Sequence, residues 1–349
     1  MILARLTALW KRRFTISTAD GGRPTAIRLL RGGRPSAVGG QFCKVGVNDT
    51  ILLALVVLFL LVGCRGPSNT AVIHVADLQP LPEAPATAVK PLRVAVAAII
   101  SPRGSVDSYT PLLQYLQEEL DRPIELVQRR TYREVNDLLE SGDVDLAFVC
   151  TIAYVVGKRE FDMQLLLAPQ VQGDTVYYSL LIIPADSPAR QMSDLRGAVF
   201  AFTDPISTSG RNYPISLVRQ LGETPETFFS RTFHTYSHDD AIRAVANRVA
   251  DGAAVDSLVY AFALEREPEL AAQTRVIHQS PPFGIPPVVV SPDVRPQLAA
   301  ELKVVLLDMH TTPEGQAALQ AAGIDLFVTI EDEAYDSVRT LETAVNTPP

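Results

Sequence analysis

From Leu92 onward, short apolar runs alternate with stretches whose apolar residues recur every three or four positions. Leu92–Ile100 is apolar almost throughout and predicts a strand. Pro111–Leu120 sets Leu112, Leu113, Leu116 and Leu120 on one helical face. Ile124–Val127 predicts a second strand, Tyr132–Leu139 a helix stopped near Gly142, and Val144–Val149 a third strand. Leu165–Leu167 and Tyr178–Ile183 add further strands. This alternation predicts an α/β fold of right-handed βαβ units around a largely parallel sheet.

Near Pro184–Pro188 a second α/β set begins. Ala198–Phe202 predicts a strand, Ser209–Leu221 a helix, and Asp239–Ala250 an alanine-rich helix. Ala253–Val255, Arg275–Ile277 and Val288–Val290 predict strands; Pro296–Met309 and Pro313–Ala322 predict helices. Ser280–Pro287, with four prolines, reads as a crossing loop. The expected organisation is two lobes, residues 92–186 plus 287–345 and residues 187–286. A ligand belongs in the cleft between them, at the carboxyl ends of strands.

The first 91 residues follow another logic. Ile51–Val62 is twelve apolar residues without a break, too short for a hydrocarbon core that takes about 20 helical residues. It matches the apolar part of a secretory signal peptide. Leu61-Val62-Gly63-Cys64 resembles the lipobox of bacterial lipoproteins, whose Cys is lipidated and becomes the first mature residue. Residues 1–63 are therefore read as an N-terminal extension and lipoprotein signal peptide. Residues 64–91, with Pro67, Pro80, Pro82, Pro85 and Pro91, are read as the lipidated Cys and a tether. Some fifty residues precede the apolar run, so either translation starts downstream, at a codon such as that of Val38 or Val45, or the extension is cytoplasmic; the first is favoured. The folded part is expected on the periplasmic or cell-surface side of the cytoplasmic membrane, lipid-anchored.

Charge separates the two parts. Residues 1–64 carry nine Lys/Arg against Asp20 and Asp49, and the rest holds 22 basic and 37 acidic residues, a balance of -15. That excludes a nucleic-acid binder, which needs a basic face. With 3 Cys in 349 residues, a disulfide scaffold is excluded too. Cys150 ends an apolar strand and reads as a buried thiol rather than a nucleophile. His234 and His238 have a metal-compatible spacing, but Thr235-Tyr236-Ser237 between them reads as strand end or turn. No G-x-S-x-G elbow, Walker loop or G-x-G-x-x-G occurs. No enzyme, cofactor or metal is expected.

The strongest constellation is Thr203-Asp204-Pro205-Ile206-Ser207-Thr208-Ser209-Gly210, between a strand and a helix. Its hydroxyls and the free N–H groups of the helix start suit a tetrahedral oxyanion, with the helix dipole favouring negative charge there. The competing reading is that a serine merely caps the helix. Asp256 either faces the cleft or caps a helix starting at Ser257.

Several patterns, in order, resemble the substrate-binding proteins of ABC importers for phosphonate, phosphite and phosphate. They are Tyr109-Thr-Pro-Leu-Leu-Gln-Tyr-Leu, Gly142-Asp-Val-Asp-Leu-Ala, Asp204-Pro-Ile-Ser-Thr-Ser-Gly, Ser237-His-Asp-Asp-Ala, Val255-Asp-Ser and Ser280-Pro-Pro-Phe. The resemblance implies the type II periplasmic-binding fold and capture of a small phosphorus oxyanion for an ABC permease, by a monomer. It implies ligand contacts from Ser207, Thr208, Ser209, His238 and Tyr154. In place of the family's Gly-Pro, this chain has Cys150-Thr151 shortly before Tyr154. The crossing loop carries no carboxylate for an amine, which leaves Asp256 as the one candidate and disfavours 2-aminoethylphosphonate. A sensor reporting ligand to a membrane histidine kinase is the alternative on the same fold.

Overall fold

The computed structural model describes residues 89–347; the signal-like segment, Cys64 and most of the tether lie outside the described residues. The chain runs β1 (Leu92–Val96), α1 (Pro102–Glu119), β2 (Ile124–Val127), α2 (Tyr132–Glu140), β3 (Leu146–Phe148), α3 (Thr151–Phe161) and β4 (Gln164–Gln170). Then come β5 (Val176–Tyr177), β6 (Ser179–Pro184), β7 (Val199–Phe202), α4 (Tyr213–Gln220), β8 (Arg231–His234), α5 (His238–Ala246), β9 (Gly252–Asp256) and α6 (Ser257–Arg266). It ends with β10 (Thr274–Gln279), β11 (Phe283–Gly284), β12 (Val288–Val290), α7 (Pro296–Asp308), α8 (Pro313–Ala322), β13 (Leu326–Val328) and α9 (Asp336–Asn346).

Two main sheets form, a six-stranded one ordered β13-β4-β12-β3-β1-β2 and a five-stranded one ordered β10-β6-β9-β7-β8. The expected parallel character holds only in part. β1 pairs in parallel with β2 and β3, and β7 with β8 and β9. β12 runs antiparallel to β3 and β4, because the chain re-enters the first sheet from the second by a crossing strand rather than a helix. The lobe boundary at 186/187 is also corrected. β6 pairs with β9 and β10 and so belongs to the second sheet. An apolar run shows that a strand is buried, but not in which sheet. The passages between sheets are the ribbon of β5 and β11, paired antiparallel.

Alternation along each strand divides the cores. Leu92, Val94 and Val96 face a cluster with Leu112, Leu116, Leu302 and Leu306, whereas Ala95 and Ala97 face Val135, Leu139 and Ile152. In the second sheet Ile182 and Val255 pack with Ile242 and Val245, while Ile183, Phe200 and Phe202 pack with Phe228 and Phe229. Helix α9 spans both: Val338 packs in the first sheet's core and Val345 in the second's.

Two helices depart from expectation. α1 starts at Pro102, preorganised for a first helical position, and carries Pro111 inside it. α3 was not foreseen, because Thr151 to Gly157 are all buried and leave no polar face to mark the period.

Candidate functional site

The β7–α4 junction is buried and polar. Thr203, Asp204, Ser207 and Thr208 are each 0% exposed and Ser209 is 1% exposed. Ser207 Oγ accepts the Gly210 N–H at 3.0 Å, closing a wide π-type turn over Thr208–Asn212. The turn needs glycine at 210: a Cβ there would lie 1.9 Å from Thr203 Oγ1. Ser179 Oγ donates to the Ser209 carbonyl at 2.7 Å, fixing the turn to β6.

Helix starts from the first sheet come to meet it. Tyr132 N–H, the first of α2, donates to Asp204 Oδ2 at 3.0 Å. Ile152 N–H, in the first turn of α3, donates to Thr208 Oγ1 at 3.1 Å. Burial holds the Asp204 carboxyl above the usual carboxylate range, against the pull of the Ile206 and Tyr132 N–H groups. Helix α2 itself is set by a capping box between Thr131 and Glu134.

His238 opens α5 and Asp256 caps α6, and the two are joined. The Asp256 N–H donates to His238 Nδ1 at 2.9 Å. Complete burial lowers the His238 pKa to about 3, so the ring is neutral at physiological pH. With Nδ1 accepting, the ring proton sits on Nε2, which makes Nε2–H its donor. Asp256 Oδ1 accepts from Leu258 N–H at 2.7 Å and Val259 N–H at 3.3 Å, and burial raises this carboxyl to about 7. Near neutrality it is therefore partly protonated, and a protonated carboxyl can donate to an oxyanion. Asp256 caps α6 and is also among the residues lining a chamber beside it.

Two tyrosines missing from the sequence reading complete the site. The Tyr132 and Tyr177 side chains are fully buried; the Tyr132 hydroxyl has no hydrogen-bond partner among the described residues, and the Tyr177 oxygen lies against hydroxyls that can donate to it but leave its own proton without an acceptor. Both pKa values stand well above the phenol range, first through burial and then through Cys150 and the carboxylates around them. Both hydroxyls thus keep their protons. A buried donor without an acceptor costs about 1–3 kcal/mol, so this pair calls for one. Tyr177 interacts with the hydroxyls of Thr151 and Thr208, which brings β5, α3 and the turn together. The sequence gives no sign of either role, since the capping box before Tyr132 marks only the start of a helix.

Tyr154 is the correction. Its hydroxyl donates to Asp332 at 2.5 Å and its ring packs edge-on against Tyr335 at 4.9 Å. Its ring lies in the first sheet's core, and its hydroxyl is committed to Asp332 rather than to the Thr208 turn. Ser207 and Thr208 each spend one lone pair on a backbone N–H, that of Gly210 and of Ile152, and each keeps its proton to donate. Burial pushes the Cys150 thiol up to about 11, which leaves it protonated and a poor nucleophile. Among the described residues no group of three His, Cys, Asp or Glu could hold a metal.

Asp256 also lines a chamber of about 280 Å³. Tyr109 and Phe148 wall it from the first sheet, Leu258 and Phe262 from α6, and Ile285 from the crossing strand. No Lys, Arg or His lines it.

Comparison with known proteins bears on this geometry. Residues 94–335 match the family described as ABC transporter, phosphonate, periplasmic substrate-binding protein. The chain is 30% identical over 182 residues to the phosphate-import protein PhnD of Mycolicibacterium smegmatis, which covers 48% of this chain and 57% of that protein. It thus spans little more than half of that relative's length. Among solved structures, a binding protein component of an ABC phosphonate transporter from Pseudomonas aeruginosa superposes with a TM-score of 0.69 at 21% identity, covering 73% of this chain and 86% of that one. PhnD1 from Prochlorococcus marinus, in complex with methylphosphonate, gives 0.67 at 18% identity over 74% and 98% of the respective chains. These likenesses agree with two α/β sheets joined by crossing strands.

Proposed function

The chain belongs to the periplasmic substrate-binding proteins of phosphonate ABC transporters, and from that premise we propose that it captures a small phosphorus oxyanion and delivers it to an ABC permease. The observation that carries this reading is the pair of buried phenols, Tyr132 and Tyr177, beside the Thr208 turn. Both are neutral donors, Tyr132 without a partner among the described residues and Tyr177 beside the hydroxyls of Thr151 and Thr208, and a phosphoryl group offers acceptors on every side. Thr208, His238 through Nε2–H, and Asp256 when protonated add further donors. The ligand is held by hydrogen bonds rather than by a fixed cation, as suits a folded part whose net charge of -15 repels anions at long range.

Proteins of this family work outside the cytoplasm, and they are binding proteins of transporters rather than enzymes. Among the described residues no helix is long and apolar enough to cross a membrane. Lipid on Cys64 would tether the folded part to the membrane, as a monomer beside its permease. The family match favours import over sensing.

Calorimetric titration of the purified protein with phosphate, phosphite and methylphosphonate tests the proposal. Binding of at least one, weakened by about 1–3 kcal/mol in Thr208→Val, is expected. Absence of binding to all three, or equal affinity in that variant, would overturn it.

A further inference from the structure

The donors described above account for a phosphoryl head but not for the chamber beyond Asp256. The two spaces adjoin at Asp256. Asp256 lines the chamber, and its N–H donates to His238 Nδ1 at 2.9 Å on the anion side. It interacts also with Tyr109 in the chamber wall. Phe148 and Val149 line the chamber and lead straight into Cys150 and Thr151. A group on phosphorus pointing away from the turn therefore enters this space.

We propose that the chamber is the subsite for the organic substituent of a phosphonate, and that it takes an apolar chain or ring of several carbons. This rests on the oxyanion reading of the adjoining site. Size is the first argument. A cavity admits one water with about 10–15 Å³ on this measure, so about 280 Å³ far exceeds what a methyl group fills. Chemistry is the second. Tyr109 and Phe148 pack at 5.0 Å between ring centroids, and Leu258, Phe262 and Ile285 close the space. The charged side chains lining it are Asp256 and Glu265. Asp256 already accepts two backbone N–H groups, and Glu265 is exposed at the rim. Neither is a dedicated partner for an ammonium, whose transfer into apolar surroundings is costly. With no cation in the walls, the space also rejects a second anionic group.

The test is a calorimetric series on the full-length chain with inorganic phosphate, methylphosphonate, n-butylphosphonate, phenylphosphonate and 2-aminoethylphosphonate. Each buried methylene should tighten binding by about fourfold, so n-butylphosphonate and phenylphosphonate are expected at least tenfold tighter than methylphosphonate. Ala261→Phe, at an exposed rim position on α6, should bring the butyl-to-methyl ratio back towards one. Ala322→Phe fills the chamber from α8 and should do the same. Equal affinity for the methyl and butyl compounds, or tightest binding of the amine, would overturn this inference while leaving the oxyanion site standing. Failure of every compound, phosphate included, would overturn the oxyanion reading and this inference with it.

Discussion

Two strand-to-helix junctions face each other in this protein and are built on opposite plans. β7–α4 fills its buried turn with Thr203, Asp204, Ser207, Thr208 and Ser209. β3–α3 presents Cys150, Thr151, Ile152, Ala153 and Tyr154, and its two hydroxyls are committed elsewhere, Thr151 donating to the Gly284 carbonyl at 3.0 Å and Tyr154 to Asp332. One junction supplies side chains; the other supplies backbone N–H groups that those side chains accept. The pairing through Ile152 N–H and Thr208 Oγ1 needs both. A polar residue buried without function is costly, which is why the first junction stands out in the sequence and the second does not.

The comparison breaks most severely at Gly210. Its substitution by Ala places a methyl group 1.9 Å from Thr203 Oγ1, with Thr203 Cβ and Cγ2 also inside 3 Å. We expect a loss of about 3 kcal/mol of stability from overpacking and loss of oxyanion binding. Adding Thr203→Gly should recover part of both. Urea denaturation of the single and double variants checks this, and a single variant as stable as the parent would show that the turn yields freely.

How legible was the site? Asp204 to Gly210 and the Ser237-His238 helix start could be read because hydroxyls and acids there interrupt apolar surroundings. Tyr132 and Tyr177 could not, since an aromatic at a strand or helix edge looks like core until its hydroxyl is found unpaired. Tyr154 erred in the same way in reverse. For the fold, amphipathic helices such as α2 and α8 and apolar strands such as β2 and β12 announced themselves by period. Helix α3 is buried on every side of its first two turns and β6 changes sheet, and neither property leaves a periodic trace.

A second pair of helix starts sharpens the comparison through pH. His238 falls from 6.5 to about 3 on folding, so the stability it contributes is complete above pH 6.5 and lost as pH drops towards 3. Asp256 rises from 3.8 to about 7, so its contribution is complete below 3.8 and lost as pH rises through 7. Each has a slope of up to about 1.4 kcal/mol per pH unit, and between pH 4 and 6.5 the two oppose. Asp256→Asn should uncover the histidine: relative to the parent, stability falls on acidification from pH 6.5 to 4.5 by up to about 3 kcal/mol. His238→Gln should show the opposite slope. Urea midpoints at pH 4.5, 5.5 and 6.5 decide it, and slopes of the same sign would mean the pair is wrongly assigned.

The phenols distinguish a ligand donor from a core side chain. Tyr132→Phe removes a hydroxyl that has no partner among the described residues, and Tyr177→Phe one whose proton has no acceptor beside the Thr151 and Thr208 hydroxyls. Ligand-free stability should be unchanged or higher, while oxyanion affinity falls by about 1–3 kcal/mol. A fall in ligand-free melting temperature with affinity intact would assign both rings to packing alone.

Tyr154→Phe should have the smallest effect and invert that pattern. The hydroxyl lost there donates to Asp332, which also accepts from Arg339 at 2.6 Å. Asp332 therefore keeps a partner, and the aromatic contact with Tyr335 survives in Phe. We expect a cost of about 1 kcal/mol in stability, since a single hydrogen bond disappears without stranding a charge. Oxyanion affinity should stay within twofold of the parent, because the hydroxyl is committed to the C-terminal segment and not to the Thr208 turn. Thermal denaturation and calorimetry on the same two samples give both quantities. Should affinity drop as far as in Tyr132→Phe, the ring would have to leave Asp332 when ligand arrives, and the β3–α3 junction would then supply a side chain as well as its N–H groups.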